Sequence, residues 1–178
     1  MSMEPGSITY PLGALSRIEA ETFGEPGRRT FRLVLQSGRA TSHVWLEKEQ
    51  LFQLGAGLKE AVDRQTGSDR ERDSSPTAPS WSGDETLIEF KARVLSGRHD
   101  EDTNSFYLQA QGDGDEQSGE EPPSVSFWIT VDQASVLADE SLRICAAGRP
   151  PCFLCGLPID PNGHVCPRAN GHAVFETG

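Results

Sequence analysis

The stretch SHVWLEKEQLFQL at Ser42–Leu54 has a counterpart 83 residues downstream, VSFWITVDQASVL at Val125–Leu137. At that offset Trp45 falls on Trp128, Leu46 on Ile129, Glu49 on Asp132, Gln50 on Gln133 and Leu54 on Leu137. Each copy passes from a strand-like run into apolar residues at helical spacing: Leu51, Leu54, Leu58, Ala61 and Val62 in one, Ala134, Leu137, Ile144 and Cys145 in the other. Working outward, Phe31 and Leu33 match Phe106 and Leu108 at an offset of 75, and an acidic insertion in the second copy absorbs the difference of eight.

The pattern predicts strands around Ser16–Phe23, Thr30–Gln36 and Ser42–Leu46, then a helix over Glu47–Asp63. The second half predicts strands at Leu87–Leu95, Ser105–Gln111 and Val125–Thr130, then a helix over Val131–Ala147. Thr130 with Gln133 forms a capping-box pattern, and Gly148 ahead of Pro150 and Pro151 is a stop. A three-stranded unit cannot cover its own apolar face, so two βββα units must stack or join into one sheet. The expected class is α+β: two related βββα units forming one sheet-based body. The paired tryptophans, at the strand-to-helix junctions, are expected to close the layer between sheet and helix. Ligand stacking is the alternative. Glu49 and Asp132 sit in first helical turns, where a carboxylate meets unpaired amides without any catalytic role.

Glycine and proline total 30 of 178 residues, which implies many turns, and the net charge of −11 argues against a nucleic-acid phosphate backbone as the main partner. The N-terminus shows no signal-peptide pattern, and no apolar run is long enough for a spanning helix. The expected location is the cytoplasm, without membrane attachment. Residues 66–85 are polar, proline-broken and free of apolar anchors except Trp81, so they read as a flexible linker. Residues 111–123, QGDGDEQSGEEPP, carry five acids and no base and read as an acidic insertion. The expected division is a body over 1–148 and a metal-binding tail over 149–178.

That tail, CFLCGLPIDPNGHVCPRANGH at Cys152–His172, concentrates the metal-ligating residues. Cys152-x-x-Cys155-Gly156 places two thiolates where they can converge on one ion, and the turn-rich loop returns the chain to His164 and Cys166. His172 competes with His164 for the fourth position. Pro151 before the pair, with Gly156 and Pro158 after it, speaks against the helix-opening thiol–disulfide arrangement. Three sulfurs and a histidine would close a site, so one structural zinc per chain is expected, in a zinc-knuckle tail. Asp160 belongs to the turn Asp160-Pro161-Asn162-Gly163, and Cys145 reads as a small buried residue.

Catalytic signals elsewhere are thin, with no phosphate-binding loop, dinucleotide fingerprint or nucleophile elbow. His43 falls in a strand. His99 falls in a loop expected over Gly97–Asp102, and Gly24–Arg29 reads as a hairpin turn or an anion nest.

FGEPGRRTFRLVLQ, WLEKEQLFQL and the cysteine-rich tail together resemble DUF3090, an uncharacterised family of actinobacterial and related bacterial proteins. The resemblance implies a bacterial cytoplasmic protein. It supplies no catalytic residue, and it places Cys152, Cys155, His164 and Cys166 at the family's cysteine-rich ending. The expected function is a small binding or adaptor protein with a structural zinc site, its partner another protein or a small anionic ligand. The alternative is a hydrolase acting on an anionic or phosphorylated metabolite through Arg28, Arg29, His43 or His99.

Overall fold

A computed structural model describes residues 8–25, 27–65, 73–113 and 122–146. In chain order these form β1 (Ile8–Ala14), β2 (Arg17–Phe23), β3 (Thr30–Ser37), β4 (Ala40–Leu46), α1 (Lys48–Asp63), β5 (Thr86–Asp100), β6 (Ser105–Gly112), β7 (Pro123–Thr130) and α2 (Val131–Ala146). The strands make one seven-stranded sheet in the order β1-β7-β6-β5-β4-β3-β2. The two units are therefore β2-β3-β4-α1 and β5-β6-β7-α2, joined edge to edge where β4 meets β5 in parallel.

Each unit begins with a long strand shared between the two. The first part of β5, Thr86–Lys91, runs parallel to β4, and its second part, Ala92–Asp100, pairs antiparallel with β6. The N-terminal segment repeats this division. β1 runs parallel to β7, and β2 pairs antiparallel with β3. Between them, the Leu15 amide donates to Trp128 O at 3.0 Å and the Ser16 amide to Gln36 O at 2.9 Å. β1 and β2 stand at opposite ends of the strand order, yet Ala14 and Arg17 can be no more than about 11 Å apart along the chain. The sheet must therefore curl until its edges meet.

Alternation along the strands sends Phe31, Leu33 and Leu35, Val44 and Leu46, Phe106 and Leu108, and Val125, Phe127 and Ile129 into one core. Trp45 and Trp128 have the opposite parity. They do not close the sheet–helix layer but lie half-buried on the other face of the sheet. Trp45 stands opposite Arg32, whose guanidinium is 5.1 Å from its ring and 4.8 Å from that of Phe23. Trp128 stands opposite Tyr107, ring centroids 5.0 Å apart, with the Arg98 guanidinium 5.6 Å away. Each unit thus carries a cross-strand stack of cation on aromatic, a contact worth about 0.5–1 kcal/mol at exposed sites.

The matching glutamines have a structural reason. Gln50 Oε1 accepts from the Glu47 amide at 2.8 Å, and Gln133 Oε1 accepts from the Thr130 amide at 2.9 Å, so both cap their helices. Their amide nitrogens reach across to the bend in the other unit's long strand. Gln50 Nε2 donates to Ala92 O at 3.1 Å and Gln133 Nε2 to Leu15 O at 3.1 Å. Gln133→Ala is expected to lower stability by about 1–3 kcal/mol, because it strands a part-buried carbonyl and a cap together. Gln50→Ala should cost less, since the Glu47 amide it caps is exposed to water. Urea denaturation of both variants checks the order. Equal losses would mean that the exposure of the Glu47 amide does not weaken the first cap.

Residues 73–85 contain no helix or strand, but they are pinned to the body at several points. The Trp81 amide donates to Ser37 Oγ at 2.9 Å, Ser80 Oγ to Ala14 O at 2.9 Å, and the Val131 amide to Ser74 Oγ at 2.9 Å. Trp81 also packs on the core beside Tyr10. Residues 66–72 and 114–121, which make up the rest of the expected linker and most of the acidic insertion, lie outside the described residues.

The expected zinc-knuckle tail needs correction as a part of this fold. A metal site requires several donors converging on one point. Among the described residues no group of three or more His, Cys, Asp and Glu side chains does so. The described architecture is the α+β body alone.

Candidate functional site

α1 and the second part of β5 diverge to leave a groove of about 620 Å³. Its floor is apolar: Leu54, Leu58 and Ala61 from α1, with Leu95, Phe106 and Leu108 from the sheet. Antiparallel pairing sets Leu95 opposite Ala110, Gly97 opposite Leu108 and His99 opposite Phe106, so these β5 residues share the core-facing side. They remain accessible because α1 stands away from them. The equivalent helix of the second unit, α2, packs much more fully along β2.

The charged lining has one sign. Arg64, Arg93 and Arg98 border the groove beside His99, and among the described residues no carboxylate does. In a chain of net charge −11 that is a local reversal. Arg64 pairs with Glu60, and Arg93 with Asp113 at 3.6 Å, but these pairs are well exposed, where such bridges contribute little. Arg98 lies over Tyr107 and Trp128.

At His99 the groove borders a polar cluster. His99 Nε2 lies 2.9 Å from Asn104 Oδ1 and 3.3 Å from Gln65 Nε2, and its ring packs 5.0 Å from Phe106. Gln65 Oε1 is buried without a partner among the described residues. Asp100, at the turn into β6, accepts from Thr103 Oγ1 at 2.6 Å. That hydrogen bond, more than the charges of Arg98 and His99, holds its carboxyl below the usual carboxylate range.

The other sequence candidates are not gathered here. His43 lies in β4, 3.3 Å from Glu89 across the parallel pair, on the face opposite the core. Arg28 and Arg29 occupy the turn between β2 and β3, where the Arg28 amide donates to Glu25 O at 2.9 Å. Of the four residues assigned to a hydrolase, only His99 reaches the groove, so no paired catalytic set is assembled. Cys145 is buried as expected, its Sγ 3.7 Å from Lys48 O.

The five zinc candidates, Cys152, Cys155, His164, Cys166 and His172, lie outside the described residues. Since the described residues hold no metal-binding cluster, the reading of a structural zinc, and of an adaptor clamped by it, is withdrawn. Among the described residues no helix is long and apolar enough to cross a membrane.

Fold and groove define an α+β protein of two related βββα units with a single-sign cleft on one of them. The chain belongs to the family of proteins of unknown function DUF3090, whose model matches residues 10–166. No curated protein and no solved structure matches it.

Proposed function

We propose that the chain is a binding protein that holds an anion-bearing, partly apolar ligand between α1 and β5. The observation that carries this reading is the 620 Å³ groove with an apolar floor and a rim of arginines, to which no described residue adds a carboxylate. That volume falls among ligand sites of about 300–1,000 Å³, and a few charges around apolar walls are what orient such ligands.

Gly57 supplies the test. It lines the groove from the exposed side of α1, and a Cβ added there meets nothing within 4 Å. Gly57→Phe therefore fills the cleft without disturbing the core, and a helix interior favours Phe over Gly. The probe is 1-anilinonaphthalene-8-sulfonate, an anion on apolar rings. It should bind saturably to the wild type, more weakly as salt rises, and at least about tenfold more weakly to Gly57→Phe. Equal binding by the two proteins, or none by the wild type, would refute the groove as a ligand site.

A further inference from the structure

A strand whose face lines a cleft contributes every second residue, because its side chains alternate. The groove is instead lined by every residue of β5 from Arg93 to His99. Both parities reach the space only if the strand presents its backbone edge. The pairing agrees. β4 accompanies β5 as far as Lys91, Gln50 then takes Ala92 O and Arg93 O, and beyond that point the described ladder of β5 is with β6 alone. Gly97, in the middle of this stretch, lacks a side chain on the β6 side, where a Cβ would come 3.3 Å from Leu108 Cδ2.

Building on the groove as a ligand site, we infer that its occupant is an extended acidic segment of a partner protein, added to β5 as an eighth strand. Main-chain hydrogen bonds to residues 94–99 would supply affinity, and alternate side chains would supply selectivity. Apolar side chains of the segment would rest on Leu54, Leu58, Phe106 and Leu108, and its carboxylates would face Arg93 and Arg98. The rim's charge determines the segment's sign, and the strand edge determines its conformation. The corresponding strand of the first unit, β2, has α2 packed much more fully along it.

The test begins with phage-displayed heptapeptides selected on the wild-type chain, with soluble Gly57→Phe protein present to remove sequences that bind elsewhere. The recovered sequences should be acidic and alternate with apolar residues. A winning peptide is then synthesised in three forms: unmodified, N-methylated at odd residues, and N-methylated at even residues. An added strand points alternate amides at its neighbour. One methylated form should therefore lose at least about tenfold in affinity, while the other binds like the parent. Arg93→Gln should also weaken the parent peptide. Equal binding by both methylated forms would overturn strand addition, as would a selection that yields no groove-dependent acidic sequence. If the sulfonate probe still binds in either case, the groove stands as a small-anion site and the peptide inference alone falls. If the probe fails as well, both fall.

Discussion

Phe127→Ala should lower the free energy of unfolding by about 3–5 kcal/mol, the usual cost of removing a buried aromatic ring. Phe127 is only 1% exposed and stands in register with Leu108 on one side and Gly13 on the other. Trp128→Ala, one residue on, should cost less than half as much although its ring is larger, because it lies half-buried on the other face against Tyr107 and Arg98. Urea denaturation of the two variants at one temperature measures both. A tryptophan loss equal to or above the phenylalanine loss would mean that the faces of β7 are reversed.

Gly13→Ala is expected to cost about 2–5 kcal/mol, from left-handed backbone strain together with a forced displacement. Gly13 has φ of +68°, and a Cβ built on it would lie 1.8 Å from the carbonyl oxygen of Pro79. Neither backbone can yield freely, because Ser80 and Trp81 are bonded to Ala14 and Ser37. Gly27→Ala is the control. Its φ is +88° but a Cβ there meets nothing within 4 Å, so it should show the strain alone, about 1–2 kcal/mol. Limited proteolysis supplies a second readout. Gly13→Ala should open residues 73–85 to cleavage, and Gly27→Ala should not. Equal losses and equal cleavage would show that the segment rests on β1 without being held there.

The repeat was legible because Gln50 and Gln133, Leu46 and Ile129, and the helix faces behind them do the same job in both units. Misreadings came where size was weighed above parity. Val44 and Leu46 point inward, so Trp45 between them must point outward, however large its ring. β1 escaped notice because Pro11 and Gly13 break strand patterns. They are tolerated where the register with β7 slips, between Pro11 and Gly13.

The end of β5 escaped for a more informative reason. Ser96–Asp100 lack alternation and look like loop because both of their faces are accessible, and that accessibility is the groove. His99 was singled out from sequence. Arg64 and Arg93 were not, since residues 29 positions apart on a helix and a strand leave no spacing signature. The cysteine-rich tail was the most conspicuous motif, yet it lies outside the described residues, and those hold no metal cluster.

The exchange of long strands between units governs how the chain must assemble. Ile8 pairs with Pro123, so closing the sheet ties together residues 115 positions apart. For a loop of that length the logarithmic part of the closure entropy is about 4 kcal/mol. On the ribosome, β1 has no strand to pair with until Thr130 has been made, a wait of roughly 6–25 s at about 5–20 residues per second. During that interval the first unit holds two open seams, one awaiting β7 and one awaiting β5. Neighbouring nascent chains on the same message present the same seams. Because the strand pairings between the units run through β1 and β5, and α1 packs on α2 across the same division, a half from one chain and a half from the next can complete both kinds of contact. Synthesis order and spacing, as much as final stability, therefore decide whether a first half closes on its own second half or on a stranger's.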